Sequence, residues 1–151
     1  MFLNINYLPY QSHLRTKRDA DRRYVFCCIR KKYLVWQPEE MVRQLVLHYL
    51  IEEKKYNRQR IRAEKLVVVN SLRKRCDILV YDTEVKPLLL VECKRPEVPI
   101  TQDVFKQIAW YNMPLQVKYL VVTNGLQTYC CEMDYEKQDY QYLSEIPNFA
   151  D

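Results

Sequence analysis

The chain has 151 residues, of which 48% are hydrophobic and 28% charged, so a single core of ordinary size is expected. Its one glycine, Gly125, excludes the glycine-rich loops that bind phosphate in Walker and dinucleotide motifs. No apolar run is long enough to cross a membrane, and the first residues lack the apolar segment of a signal peptide. We therefore expect a cytoplasmic protein that has no membrane partner.

The net charge of +5 is unevenly distributed. Residues 1–75 carry 18 Lys/Arg against 7 Asp/Glu, whereas residues 76–151 carry 6 against 12. A basic half is typical of proteins that bind polyanions, because Lys and Arg release counterions from phosphates. A solvated basic surface explains the charge alone equally well.

Six cysteines occur without a Cys-x-x-Cys pair, which argues against a zinc ribbon. We interpret them as reduced thiols that mostly fill core positions.

The first half of the chain predicts a hairpin followed by a helix. The strand-like runs Tyr24–Cys28 and Tyr33–Trp36 are separated by four mostly polar residues, which favours a hairpin. A helix is predicted from Gln37 to about Lys55, because Pro38 and two carboxylates suit a first turn. Its apolar stripe is expected to run through Met41, Leu45 and His48 or Tyr49, with Val42, Val46 and Leu50 beside it.

The second half predicts five strands and one helix. Short polar links between the first three strands favour an antiparallel meander. The next helix, with Thr101 as N-cap, separates the third and fourth strands, which favours a parallel pair joined by a crossover. These predicted elements are Ile61–Val69, Cys76–Tyr81, Pro87–Cys93, a helix over Thr101–Tyr111 with Val104, Ile108 and Tyr111 on one stripe, Val117–Thr123, and Thr128–Met133 after an Asn124-Gly125 turn. A short turn or helix is predicted near 142–146.

The predicted fold class is α/β. It has a mixed central sheet in the order helix, three-strand meander, helix and two strands, flanked by helices, with an N-terminal hairpin. We predict one domain over residues 1–151, with 1–23 as an extension partly ordered against the core and 24–147 as the core.

Polar residues at the ends of two apolar strands predict a metal site. Glu92 and Lys94 share strand parity, so they project to one side of the sheet. The hairpin that joins residues 77–81 and 87–92 brings Asp77 opposite Glu92. Two carboxylates at one rim form an oxygen site suited to Mg²⁺, with Mn²⁺ as a substitute and the Cys93 backbone carbonyl as a further ligand. Each residue alone has a simpler explanation, as a turn residue or a surface ion pair, but the three together favour the site.

The spacing of these residues resembles a known pattern. Asp77, fourteen intervening residues and then Glu92-Cys93-Lys94 are similar to the motif of the PD-(D/E)XK nuclease superfamily. The surrounding segments resemble the N-terminal nuclease domain of type I restriction enzyme R subunits, and its small standalone relatives, from about Arg22 to Pro147. Those segments are PEEMVRQLVLHYLIEEKKY, RCDILVY, LLLVECKRPEVPI, QIAWYN and YLVVTNGLQTYC.

The resemblance implies a restriction-endonuclease-like core and a role for each matching residue. Asp77 and Glu92 match the metal-binding acidic pair, and Lys94 matches the lysine that orients or activates the attacking water. Glu40 matches an accessory acidic residue that contacts a metal or its water. Gln107 and Tyr111 match the Gln-xxx-Tyr motif of type I nuclease domains. One departure is Cys76, which stands where the superfamily motif has proline, a variable position that supplies no ligand.

Simpler interpretations of the added residues stay open. Gln107 and Tyr111 share a helix face and would hold a phosphate or brace Lys94. Alternatively, Tyr111 packs in the core and Gln107 bonds locally. Glu40 is equally well a helix-start carboxylate, and Arg43 would either pair with it or reach DNA. The two histidines, His13 and His48, lie too far from the acidic motif to indicate a triad, and we expect His48 to be a helix-face residue and not a ligand.

The sequence-based hypothesis is a Mg²⁺-dependent nuclease that hydrolyses DNA phosphodiesters. Basic residues of the first half would bind the backbone without reading sequence: Arg58, Arg60, Arg62, Arg73, Lys74 and Arg75. One alternative is a non-catalytic nucleic-acid-binding subunit of a restriction or repair system, and another is an interaction protein with 13 tyrosines on its surface. Expected partners are DNA, a second copy of the chain, and a helicase or specificity subunit. RNA as a substrate, and nicking against double-strand cleavage, stay open.

Overall fold

The computed structural model describes residues 3–149, which form two β-sheets, two α-helices and three short 3-10 helices. The elements in chain order are β1 (Thr16–Asp19), β2 (Arg22–Cys27), β3 (Lys32–Val35), α1 (Pro38–Glu52), β4 (Ile61–Val69), β5 (Leu72–Tyr81), β6 (Pro87–Cys93), α2 (Gln102–Tyr111), β7 (Tyr119–Thr123), β8 (Thr128–Asp134) and β9 (Asp139–Tyr142).

The predicted hairpin is confirmed and gains a third strand. Strands β1, β2 and β3 form an antiparallel sheet in that order. The segment before it contacts the core, because Leu3 bridges to Thr128 and Tyr7 is buried. A 3-10 helix, Leu8–His13, packs on α1.

The large sheet confirms the predicted meander and crossover. Its six strands run in the order β4-β5-β6-β7-β8-β9. The β6–β7 pair is parallel and is joined through α2, whereas the other neighbours are antiparallel. The chain therefore has the predicted mixed α/β architecture.

The two helices lie against opposite faces of this sheet. Helix α1 buries Tyr49 of the predicted stripe and Val42, Val46 and Leu50 beside it, and leaves Met41 and Leu45 half-buried. The stripe predicted for α2 is wrong by one position. On α2 the buried residues are Phe105 and Ala109, whereas Tyr111 is 62% exposed, and Val104 and Ile108 are half-buried. Apolar residues occupy adjacent positions in each helix, so periodicity alone does not choose between neighbouring stripes.

Two predicted strand starts also change. Strand β5 begins at Leu72 instead of Cys76, and β7 begins at Tyr119 instead of Val117. Of the turn or helix predicted near 142–146, no helix forms: β9 ends at Tyr142, and the chain bends at residues 144 and 145. The rings of Tyr140 and Tyr142 pack on Phe105, and this contact holds β9 on the sheet.

Five of the six free cysteines are buried and Cys28 is half-buried, which agrees with their predicted packing role. Within residues 3–149, no helix is long and apolar enough to cross a membrane. The assignment of a single domain over residues 1–151 stays a prediction.

Candidate active site

The acidic residues lie side by side where β5 and β6 pair. Ile78 pairs with Val91, so Asp77 and Glu92 take the next position along the same register. Asp77 Oδ2 accepts a hydrogen bond of 2.8 Å from the Cys93 backbone N–H. This bond fixes the Asp77 carboxylate beside the strand that carries Glu92.

The electrostatics of Glu92 show how close the two carboxylates are. Burial, and then the negative charge of Asp77, raise the pKa of Glu92 well above its usual range. The charge of Lys94 and a hydrogen bond from the Asn112 side chain act in the opposite direction. Lys94 is anchored by its backbone N–H, which donates to the Thr123 carbonyl of β7 over 2.9 Å. The structure thus brings Asp77, Glu92 and Lys94 into one electrostatic unit.

Arg43 joins α1 to this unit. Its Nη1 lies 2.5 Å from Glu40 Oε1, and its Nη2 lies 2.6 Å from Glu64 Oε1 and 2.8 Å from Asp77 Oδ1. All four side chains are at most 17% exposed. The other Glu40 oxygen accepts a hydrogen bond of 3.0 Å from Gln44 Nε2. In this arrangement Glu40 is an ion-pair partner of Arg43, and its role as an accessory metal contact stays a prediction.

Two carboxylates were not foreseen from the sequence. The backbone of Glu64 has a positive φ of +54°. Its neighbours pair in one register, Ala63 with Ile78 and Lys65 with Cys76, but Glu64 and Asp77 between them do not pair. Glu39 is half-buried, and burial followed by the charge of Asp77 raises its pKa. Glu39 lies four residues before Arg43, so the two share a helix face. This spacing was a sequence signal that Glu39 lies near Arg43. No local pattern marked Glu64.

The residues of the Gln-xxx-Tyr motif lie on the exposed side of α2. Gln107 is exposed, and Tyr111 is exposed over 62% of its surface, so the core position considered for Tyr111 is wrong. The ring of Tyr111 contacts the ammonium of Lys74, with 3.8 Å between Nζ and the ring centre. Lys74 is only 2% exposed, so the prediction that it binds a DNA backbone as a surface residue is wrong. Cys76 is buried, and burial raises its pKa to about 11.

The chemistry of the donor set fits a divalent ion that prefers oxygen. Asp77 and Glu92 offer hard carboxylate oxygens, and Mg²⁺ prefers such ligands in octahedral geometry at about 2.1 Å. Five carboxylates and four cations meet in this cluster. The carboxylates are Glu39, Glu40, Glu64, Asp77 and Glu92, and the cations are Arg43, Lys74, Arg75 and Lys94. The Cys93 carbonyl as a further ligand stays a prediction.

The chain is therefore a mixed α/β protein with an acidic and lysine-bearing site where the pairing of β5 and β6 ends. Residues 38–147 match the family described as type I restriction enzyme R protein N terminus (HSDR_N). Because this match spans more than half of the sequence, the chain belongs to that family.

The fold is similar to that of a fragment described as an HsdR subunit of a type I restriction enzyme from Vibrio vulnificus YJ016. The two share 22% identity with a TM-score of 0.51, over 74% of this chain and 24% of that chain. This chain thus spans about a quarter of its structural relative. Among curated proteins, no significant match is found.

Proposed function

We propose that the chain is a Mg²⁺-dependent nuclease of the PD-(D/E)XK type, with a restriction-endonuclease-like core, that hydrolyses DNA phosphodiester bonds. The observation that carries the proposal is the adjacency of Asp77 and Glu92 beside Lys94, in a member of the R-subunit N-terminal family. Asp77 and Glu92 would hold the ion, with the Cys93 carbonyl and Glu40 as further contacts. When bound, the ion would stabilise phosphate charge and acidify water, and Mn²⁺ would substitute for it.

The chain's own residues would supply position and charge. Lys94, held by the Thr123 carbonyl, would orient the attacking water and counter the charge that develops on the phosphate. The Cys93 N–H and Arg43 hold the Asp77 carboxylate, so its orientation needs little further ordering. Tyr111 and Gln107 would contact the phosphate from the exposed face of α2.

The basic surface near the β4–β5 hairpin would bind the DNA backbone. Its exposed members are Arg58, Arg62, Arg73 and Arg75. Arg75 links this surface to the site, because its Nη1 lies 3.1 Å from Glu64 Oε2. Contacts of this kind add affinity without reading sequence. Changing Arg62 and Arg73 to Gln should weaken binding to all sequences and flatten its salt dependence, whereas the exposed Lys137→Gln should not.

The cleavage test uses supercoiled plasmid with Mg²⁺ or Mn²⁺. Asp77→Ala and Lys94→Ala should each reduce cleavage by at least about 100-fold. The matched controls Asp21→Ala and Lys137→Ala, both at exposed positions outside α2, should cleave as wild type does. Equal cleavage by the wild type and an Asp77→Ala/Lys94→Ala double variant would refute the proposal. A labelled single-stranded RNA in the same assay separates DNA from RNA as substrate.

One observation favours a second candidate, a non-catalytic nucleic-acid-binding subunit of a restriction or repair system. Both oxygens of Asp77 are already bonded, one to Arg43 and one to the Cys93 N–H. If these bonds persist, the site would keep its shape without an ion. Retained DNA affinity with no binding of Mg²⁺ or Mn²⁺ in a calorimetric titration would support this candidate over the nuclease.

The proposed partners follow from the nuclease proposal. One site per chain cuts both strands most simply when two chains act together, so we propose a homodimer on DNA. Because the relative is about four times longer than the matched region, a helicase or specificity subunit is a further proposed partner. Sedimentation of the chain with and without a DNA duplex tests the proposed homodimer.

A further inference from the structure

Two histidines and a carboxylate that lie far apart in the sequence meet beside the C-terminal half of α1. His13 ends the 3-10 helix Leu8–His13, and His48 and Glu52 lie four residues apart on one face of α1. One ligand atom from each lies within 4.8 Å of the other two. In residues 3–149 this is the one group of three or more His, Cys, Asp or Glu side chains found to meet that criterion.

His48 carries the independent evidence for a ligand. The residue is 6% exposed, and its Nδ1 atom is buried without a hydrogen-bond partner in the described part of the chain. A buried polar atom that lacks a partner costs free energy of folding, and an ion bound at Nδ1 would remove that cost. Burial, and then the neighbouring His13, lower the pKa of His48.

We propose that His13, His48 and Glu52 bind one transition-metal ion, with Zn²⁺ as the fitting example. Two imidazoles and one carboxylate suit Zn²⁺ or a similar ion and do not suit Mg²⁺. Ligand atoms around a tetrahedral zinc are about 3.4 Å apart. The three ligand atoms lie within 4.8 Å of one another, so they must approach each other by at most about 1.4 Å.

The side chains leave room for this contraction. His13 is exposed and Glu52 is half-buried, so both rotate without disturbing the core. The two imidazole rings are stacked, with 5.5 Å between their centroids. Arg58 is a weak competitor for Glu52, because its Nη2 lies 3.9 Å from Glu52 Oε1 and both side chains are at least 40% exposed.

The ion would fasten the N-terminal segment to α1. The other contacts between them are mainly ring contacts and one hydrogen bond: Tyr7 and Tyr10 pack edge-on against Tyr49, and Tyr10 donates to Glu53 over 3.3 Å. Since α1 also carries Glu40 and Arg43, a clamp at its far end would hold the helix that faces the candidate active site. The proposed Zn²⁺ site shares no residue with the candidate active site, and the two sites prefer different ions.

The test is titration of the full chain with Zn²⁺ alone, followed by calorimetry, with Co²⁺ as a spectroscopic substitute. One ion per chain is expected, without the sulfur-to-cobalt absorption that cysteine ligands produce. His13→Ala and Glu52→Gln should each weaken binding at least about tenfold. The matched control Glu53→Gln changes the neighbouring carboxylate and should bind as wild type does. Because His13 and Glu52 are at or near the surface, these variants should fold.

The Asp77→Ala variant tests whether the Zn²⁺ site is independent of the candidate active site. It should bind Zn²⁺ as wild type does even though cleavage is lost. Zn²⁺ should also slow amide exchange in residues 8–13 in the wild type and not in His13→Ala. Equal Zn²⁺ affinity of His13→Ala, Glu52→Gln and wild type would overturn the proposal, as would binding that shows cysteine-to-cobalt absorption. Neither result bears on cleavage, so the two proposals fail separately.

Discussion

The ammonium of Lys74 lies 3.8 Å from the centre of the Tyr111 ring, and this ring joins α2 to β5 beside Glu92. Lys74 is 2% exposed, and its Nζ has no hydrogen-bond partner among residues 3–149. Burial lowers the pKa of Lys74, and the nearby charge of Glu92 acts against that change. The aromatic face is therefore a main compensation for burying this charge.

The Lys74–Tyr111 contact predicts opposite outcomes for two substitutions. Tyr111→Phe keeps the aromatic face and should leave the free energy of unfolding close to that of wild type. Tyr111→Leu removes the face and should cost about 1–2 kcal/mol, measured by urea unfolding. The adjacent Trp110→Leu is the control, since Trp110 is 54% exposed.

If Tyr111→Leu and Trp110→Leu have the same small effect, the ring does not stabilise the buried ammonium. The cleavage assay then separates a role in stability from the proposed contact with phosphate. Loss of cleavage in Tyr111→Phe, at unchanged stability, would assign that role to the phenol hydroxyl.

Replacing Arg43 should lower the free energy of unfolding by a large amount, and a divalent ion should partly restore it. Arg43→Met leaves Glu40, Glu64 and Asp77 without their shared counter-charge and should cost on the order of 3–5 kcal/mol. Mg²⁺ should raise the Tm of this variant more than that of wild type, because the ion replaces lost positive charge. Thermal melts with and without Mg²⁺ measure both effects.

The control for Arg43 is Arg18→Met in the small sheet, where the side chain is exposed. It should melt as wild type does, with or without Mg²⁺. An Arg43→Met protein as stable as wild type would show that the three carboxylates do not need the guanidinium.

Strand order and the adjacency of Asp77 and Glu92 were predictable because both follow from short-range patterns. Apolar runs with short polar links determined the meander, and its register placed Asp77 next to Glu92. The Arg43 network was not predictable in the same way, since it joins residues from α1, β4 and β5 that only the tertiary fold brings together. The position of Glu64 depends on a positive φ within a strand, for which the sequence shows no signal.

The contact between the two histidines could not be predicted from the sequence either. His13 and His48 are 35 positions apart, and nothing local indicates that their rings stack. The buried face of α2 was misassigned because the sheet, and not the helix, decides which of two apolar stripes faces inward.

Glu92 predicts a specific pH dependence of stability in the absence of divalent ions. Its pKa is raised from the ordinary 4.5 to about 8, so the folded chain holds this proton more tightly than the unfolded chain does. The stability that Glu92 contributes is fully present below about pH 4.5 and is lost as the pH rises through about 8. The slope is about 1.4 kcal/mol per pH unit in this window.

Glu92→Gln should remove this slope, so its free energy of unfolding relative to wild type should rise between pH 5 and pH 8. Urea unfolding at four pH values in that range, with EDTA, measures the difference. The exposed Glu97→Gln should run parallel to wild type. A Glu92→Gln curve that also runs parallel to wild type would contradict the raised pKa.

Gly125 predicts a backbone effect in the turn between β7 and β8. Its φ is +89°, and an added Cβ would lie 3.3 Å from Val42 Cγ2 on α1. Gly125→Ala should therefore cost about 1–2 kcal/mol of unfolding free energy. Gly125→Asn should cost less if the backbone angle dominates, since Asn tolerates this region, and more if crowding against Val42 dominates.

Three consecutive positions, the last two of β6 and the one that follows it, serve the site in different ways. Glu92 and Lys94 act through their side chains, whereas the residue between them acts through its backbone N–H to Asp77. The identity of the middle side chain is therefore constrained by core volume alone, and Ala, Ser or Val should be acceptable there. A single inserted or deleted residue would instead exchange the two faces of the strand and bury Glu92 against α1. Lineages that keep the site should vary at position 93 by substitution and keep the length of this strand unchanged.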